Sequence, residues 1–189
     1  MKIKLAGKFN GDMASLPHGE HQEGAVAFKE AQDVKIFSIV MNIVSVIILL
    51  PLMIFVFYYG EYHSLQVFLG ALASCLALVP HEFLHAICFK EEVFIYHYLS
   101  KGMLFVIGNE CMSKCRFIFM SLLPNIVFGF IPFVIFCLKP EWIFLGVFGA
   151  ISIGCGVGDY YNVFNAMTQM PKGAYTYLYQ FHSYWYIPK

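Results

Sequence analysis

Two histidines and a glutamate fall within five positions of the stretch LVPHEFLHAICF, Leu78 to Phe89, which is otherwise apolar. His81 and His85 are four residues apart, so on a helix they lie one turn from each other on one face. Both imidazoles then reach a single ion at about 2.0–2.1 Å, and H-E-x-x-H on a helix is a known zinc arrangement. Glu82 stands three residues before His85 and leans toward the same face. In that arrangement the glutamate does not bind the metal. It takes a proton from the hydrolytic water and gives it to the leaving amine. A catalytic zinc needs a third protein ligand and one open position.

The elements that must hold these residues are apolar. The chain has 189 residues, 59% of them hydrophobic and 13% charged, with a mean hydropathy of +0.67. Soluble domains average about 45–50% apolar and about 25% charged, so this composition predicts a membrane protein. Zero formal net charge gives no reason to expect a nucleic-acid partner. Four apolar runs, 36–59, 65–89, 117–138 and 142–167, are each long enough to cross about 30 Å of hydrocarbon as a helix. Within them the ionisable residues of the Asp, Glu, His, Lys and Arg types are His81, Glu82, His85 and Asp159. Each costs on the order of 2–4 kcal/mol at the bilayer centre, so a shared partner is expected to offset the burial. Asp159, the only other carboxylate inside a run, is the expected third metal ligand.

The basic residues give an orientation. Eleven of the twelve lie in the N-terminal segment, the loop between runs two and three, and the tail; Lys139 alone lies on the other side. The positive-inside rule puts both termini and that loop in the cytoplasm of a multi-pass cell-membrane protein. At 1.5 Å per residue, His81, His85 and Asp159 then come out at a common depth, roughly 8–15 Å below the cytoplasmic surface. Gly154 and Gly158 form a G-x-x-x-G step that predicts close helix approach near Asp159. Pro80 predicts a kink in the second run.

The expected fold class is therefore an all-α integral membrane protein of four transmembrane helices, residues 36–168. A small β-hairpin lies between helices two and three at the cytoplasmic surface. Its strands are Val93–Leu99 and Met103–Gly108, with the turn at Ser100–Gly102. Residues 1–35, including His18 and His21, read as a solvated cytoplasmic segment without a removable signal peptide. Residues 169–189 read as a cytoplasmic aromatic tail, an interfacial belt or membrane-surface segment. His63, His97 and His182 read as loop or interfacial residues. Cys111 and Cys115 form a C-x3-C pair, a weak zinc-site signal without a second pair or nearby histidines; the other four cysteines fall in apolar runs and read as small hydrophobes.

With HEFLH on one run and GVGDYYN on a later one, the chain resembles the site-2 protease group of intramembrane zinc metalloproteases. More narrowly, it resembles the small membrane proteins named putative zincin peptidases. The resemblance implies one zinc ion on His81, His85 and Asp159, with Glu82 activating water. SLLPNIVFGFIP resembles the helix that carries a proline near the metal in that group, and Asn125 then lies at the depth of the site. There Asn125 is expected to hold a substrate carbonyl or oxyanion, or else to pack between helices. The hairpin corresponds to a membrane-surface sheet whose edge pairs with an unwound substrate segment. Larger members often have glycine after the aspartate, whereas Tyr160 follows Asp159 here.

The implied partners are the lipid bilayer and a membrane-protein or peptide substrate. Substrate selection falls to the membrane core, the hairpin or a partner, whether a second copy of the chain or a regulatory membrane protein. Two other readings compete. One is a divalent-metal transporter; against it, the outer halves of the runs carry no ionisable relay. The other is a non-catalytic membrane protein that keeps its metal for stability.

Overall fold

Lysine-flanked apolar segments become long helices, and alternating aromatic segments become strands. The computed structural model describes residues 2–12, 15–17, 19–31, 34–98, 103–179 and 182–188. In chain order the elements are β1 (Lys2–Lys8), β2 (Val26–Ala27), α1 (Val34–Tyr59), α2 (Ser64–Leu76), α3 (Leu78–Ala86), β3 (Glu92–Tyr98), β4 (Met103–Gly108), β5 (Met112–Ser113) and α4 (Lys114–Pro124). A π-helical segment, Asn125–Phe130, leads into α5 (Ile131–Leu138). Then come α6 (Ile143–Cys155), α7 (Val157–Gln169), β6 (Tyr175–Tyr179) and β7 (His182–Tyr186).

The chain divides into two compact units. One comprises residues 31–81 and 122–161 and is helical. Its centre is α6, where Gly146, Gly149, Ala150 and Gly154 are buried. A Cβ on Gly149 would lie 2.7 Å from the backbone nitrogen of Phe133 and 2.8 Å from the carbonyl of Gly129, so only glycine permits that approach. Val56, Phe136, Ile143, Val147 and Ala150 form the core. The outward faces of α1 and α2 carry exposed Ile, Leu, Val and Phe side chains, as expected of surface that meets lipid rather than water.

The other unit comprises residues 1–30, 82–121 and 162–189 and holds two sheets. In the first, β1 pairs in parallel with β3, and β3 pairs antiparallel with β4. The second has the order β2-β7-β6-β5. Phe9, Leu16 and Ile107 form one small core. Phe28, Ala166, Met170 and Ala174 form a second.

Two helical stretches, Lys35–Tyr59 and Lys114–Leu138, are long and apolar enough to cross a membrane. Two bent pairs, α2 with α3 at 41° and α6 with α7 at 50°, raise that to as many as four if each pair is one span. The expectation of an all-α chain with one hairpin needs correction, because the described residues contain two sheets. The N-terminal segment is no solvated lead-in: β1 and β2 take backbone partners on β3 and β7, and Phe9, Leu16 and Phe28 are buried. The aromatic tail is likewise the β6–β7 hairpin of the second sheet. β3 and β4 pair over Val93–Tyr98 and Met103–Gly108, within the expected strands, while Leu99, the expected turn at 100–102 and His18 lie outside the described residues.

Candidate metal centre

Helix α3 begins just after a break at Ala77, so Pro80 falls in its first turn, where its missing N–H costs little. The bend expected at Pro80 thus sits three residues earlier, and the backbone N–H of His81 bonds the carbonyl of Ala77 at 2.8 Å. The two-unit division passes through α3, between His81 and Glu82. The helix itself is continuous, and its geometry sets His85 one turn beyond His81.

The second break, at Gly156, starts α7 and leaves Asp159 in its first turn, where the helix dipole favours a carboxylate. His81 Nε2 lies 3.2 Å from Asp159 Oδ2. Ligand atoms of His81, His85 and Asp159 all fall within 4.8 Å of one another. An ion with bonds of about 2.0–2.1 Å needs tetrahedral edges of about 3.3 Å, and the His81–Asp159 separation already matches one. Two imidazoles and one carboxylate form a donor set suited to zinc. The side chains of His81 and Asp159 are 23% and 14% exposed, so the set is withdrawn but not sealed.

Two of the three candidate donors, His85 and Asp159, have an orienting partner. His85 Nδ1 lies 2.9 Å from the carbonyl oxygen of Met120, which only accepts. Nδ1 therefore carries the proton and Nε2 keeps its lone pair for an ion. Asn125 Nδ2 donates to Asp159 Oδ2 at 2.7 Å. Asn125 is 1% exposed, so the expected contact with a substrate carbonyl would have to be made by a buried amide already engaged with the aspartate. A Cβ on Gly156 would land 1.8 Å from Asn125 Oδ1. Gly156, rather than the Gly154–Gly158 step, clears the room beside Asp159: a Cβ on Gly154 meets Leu49, and one on Gly158 meets nothing within 4 Å. The Tyr160 hydroxyl donates to the carbonyl of Ile153 at 3.1 Å and ties the break together. Glu82, next to His81 on α3, is half-buried.

Sequence reasoning counted Lys114 and Arg116 only as topological charges, and it did not single out Glu110. Arg116 donates through Nε and Nη2 to the carbonyl of Cys88, at 3.1 and 2.5 Å, just past the end of α3. Its Nη1 donates to Glu110 Oε1. Glu110 Oε2 accepts the backbone N–H groups of Lys90 and Glu91 at 2.6 and 3.1 Å. Burial pushes the Glu110 carboxyl up, but the guanidinium and the two N–H groups outweigh it and hold the carboxyl below its ordinary value. Lys114 Nζ meets the carbonyls of Met167 and Met170, at 3.3 and 2.6 Å, at the end of α7. The first turn of α4 thus caps both helices that carry the His-His-Asp cluster. His97 is on β3 and His182 on β7. All six cysteines are free thiols.

A helical chain with membrane-length apolar segments, whose H-E-x-x-H helix brings two histidines to an aspartate of a later helix, is the class that fold and site define. The chain belongs to the family described as Putative zincin peptidase, whose pattern matches residues 74–175, over half of its length. That family points to a zinc metallopeptidase. No curated protein and no solved structure matches the chain.

Proposed function

We propose that the chain is a multi-pass membrane zinc metallopeptidase that hydrolyses peptide bonds within or beside the bilayer. The observation that carries this reading is the convergence of His81 and His85, on the helix that also bears Glu82, with Asp159 of α7. His81, His85 and Asp159 hold the ion, and a fourth position stays open for water or substrate. When bound, zinc supplies Lewis-acid polarisation of the scissile carbonyl and lowers the pKa of its water toward about 7. Glu82 accepts the water proton and returns it to the leaving amine. Asn125 keeps Asp159 turned toward the histidines.

In this reading each bent pair crosses the membrane once, giving four crossings, with both termini and the β3–β4 hairpin on the cytoplasmic side. β1 already fills one side of β3, so of the two hairpin strands only β4 is an outer strand of that sheet; β1 is the other outer strand. An unwound substrate segment then adds to β4.

Metal content and cleavage, measured on full-length protein in detergent, test the reading. Wild type and Glu82→Gln should each hold one zinc per chain, and His85→Ala and Asp159→Ala should lose it or bind it weakly. Wild type alone should cleave an unfolded membrane substrate. Loss of zinc in Glu82→Gln would make the glutamate a ligand and favour transport. Equal cleavage by Glu82→Gln and wild type would end the proposed mechanism.

A further inference from the structure

Pro124 stands inside the continuous helical stretch Lys114–Leu138, where most residues would form a better helix. It is fully buried, so contact with lipid or water does not explain it. Its chemical consequence lies four residues back. In an α-helix the carbonyl of residue 120 accepts the N–H of residue 124, and proline has none to give. That carbonyl, Met120 O, is the atom 2.9 Å from His85 Nδ1.

We propose that Pro124 is a positioning residue for the metal centre: by withholding the helical donor it reserves the Met120 carbonyl for His85 Nδ1–H. The inference rests on the reading of His85 as a metal ligand. Neutral imidazole has two tautomers, and only the one protonated at Nδ1 presents Nε2 to an ion. An N–H at position 124 would draw the carbonyl back along the helix axis and compete for its lone pairs. The π-helical segment follows directly, with the N–H of Ile131 reaching back five residues to the carbonyl of Ile126. That one-residue slip lets the helix continue past the proline.

Zinc affinity of the full-length protein in detergent, by chelator competition, tests the role without any cleavage assay. Pro124→Ala should bind zinc about 10–100-fold more weakly, the usual effect of removing a ligand's hydrogen-bond partner. Its thermal midpoint should not fall, because alanine is the better helix former. Putting the α-hydroxy acid analogue of alanine at 124, which lacks the N–H but also lacks the ring, should restore the affinity. Wild-type affinity in Pro124→Ala overturns the proposal, as does equal weakening in the hydroxy-acid variant. Should Pro124→Ala not fold, ¹⁵N spectra of the wild-type His85 ring decide: the Nδ1–H tautomer supports the assignment and the Nε2–H tautomer overturns it. Undiminished zinc binding by His85→Ala would instead remove His85 as a ligand, an outcome distinct from failure at Pro124 alone.

Discussion

Glu110 and Asp159 are two carboxylates withdrawn from water, and the chain surrounds them differently. Glu110 meets a guanidinium and two backbone N–H groups. A fixed cation and directed donors offset the cost of its burial, and the product is a clasp that holds the end of α3. Asp159 meets a carboxamide and an imidazole nitrogen. Both are neutral donors when the histidine is neutral, and a second imidazole converges on the same point. The first carboxylate is completed by an arginine of the chain itself; the second belongs to a set that a divalent cation would complete. The difference separates a structural ion pair from a candidate metal centre more sharply than burial does, since both side chains are mostly covered.

The comparison breaks if changes around the two carboxylates have the same consequence. The largest expected effect is on chemistry at the Asp159 side. Glu82→Gln should lower cleavage by about 10²–10⁴-fold, the range for removing a general acid–base group, with zinc retained. Arg116→Ala should do the reverse in kind. It strips the cation from Glu110 and from the Cys88 carbonyl, and should cost about 3 kcal/mol of stability, the lower end for breaking a buried pair. Chemical denaturation in detergent measures the loss. Zinc loss at wild-type stability would mean that the clasp serves the ligands rather than the fold.

Acid sharpens the same contrast. The folded Glu110 carboxyl titrates below its ordinary value of 4.5. Its contribution to stability is therefore fully present above that pH and fades as pH falls through the lower folded value. An unfolding series from about pH 6 to pH 3 should show a decline in wild type that Glu110→Gln flattens, from a lower starting stability. An undiminished acid limb in Glu110→Gln would assign the decline to other carboxylates.

How much of this was readable in the sequence depends on the range of the forces involved. The apolar runs gave helix locations closely: run 36–59 became α1 at Val34–Tyr59, and run 117–138 lies within Lys114–Leu138. HEFLH and Asp159 were legible because ionisable residues in apolar runs are costly. The breaks were harder. Ala77 carries no breaking signal of its own, and Gly156 is required by the side chain of Asn125, thirty-one positions away. The strands of the N-terminal segment exist because β3 and β7 offer them backbone partners, a nonlocal reason that composition does not carry. The tail did carry a signal. Tyr175, Tyr177 and Tyr179 alternate with period two, and their aromatic character suggested an interface before their spacing suggested a strand. Lys114 and Arg116 were visible only as charges; their role as caps needed the ends of α7 and α3 to be in view.

The smallest expected effects come from two glycines on either side of Val157, and they test how the chain builds the Asp159 side. An alanine methyl at 156 would fall 1.8 Å from Asn125 Oδ1. Gly156 has φ −74° and ψ 9°, which any residue adopts, so the obstacle is space rather than backbone strain. Gly156→Ala should cost about 1–3 kcal/mol, as overpacking does, and should weaken zinc binding by displacing the amide that orients Asp159. Gly158→Ala adds a methyl where nothing lies within 4 Å, in the first turn of a helix. Its stability should change by no more than about 0.5 kcal/mol, and its zinc affinity should stay at the wild-type level. If Gly158→Ala binds zinc normally but cleaves poorly, the open space beside Asp159 is used by substrate. If the two variants lose zinc equally, Asn125 is not what holds the aspartate in place.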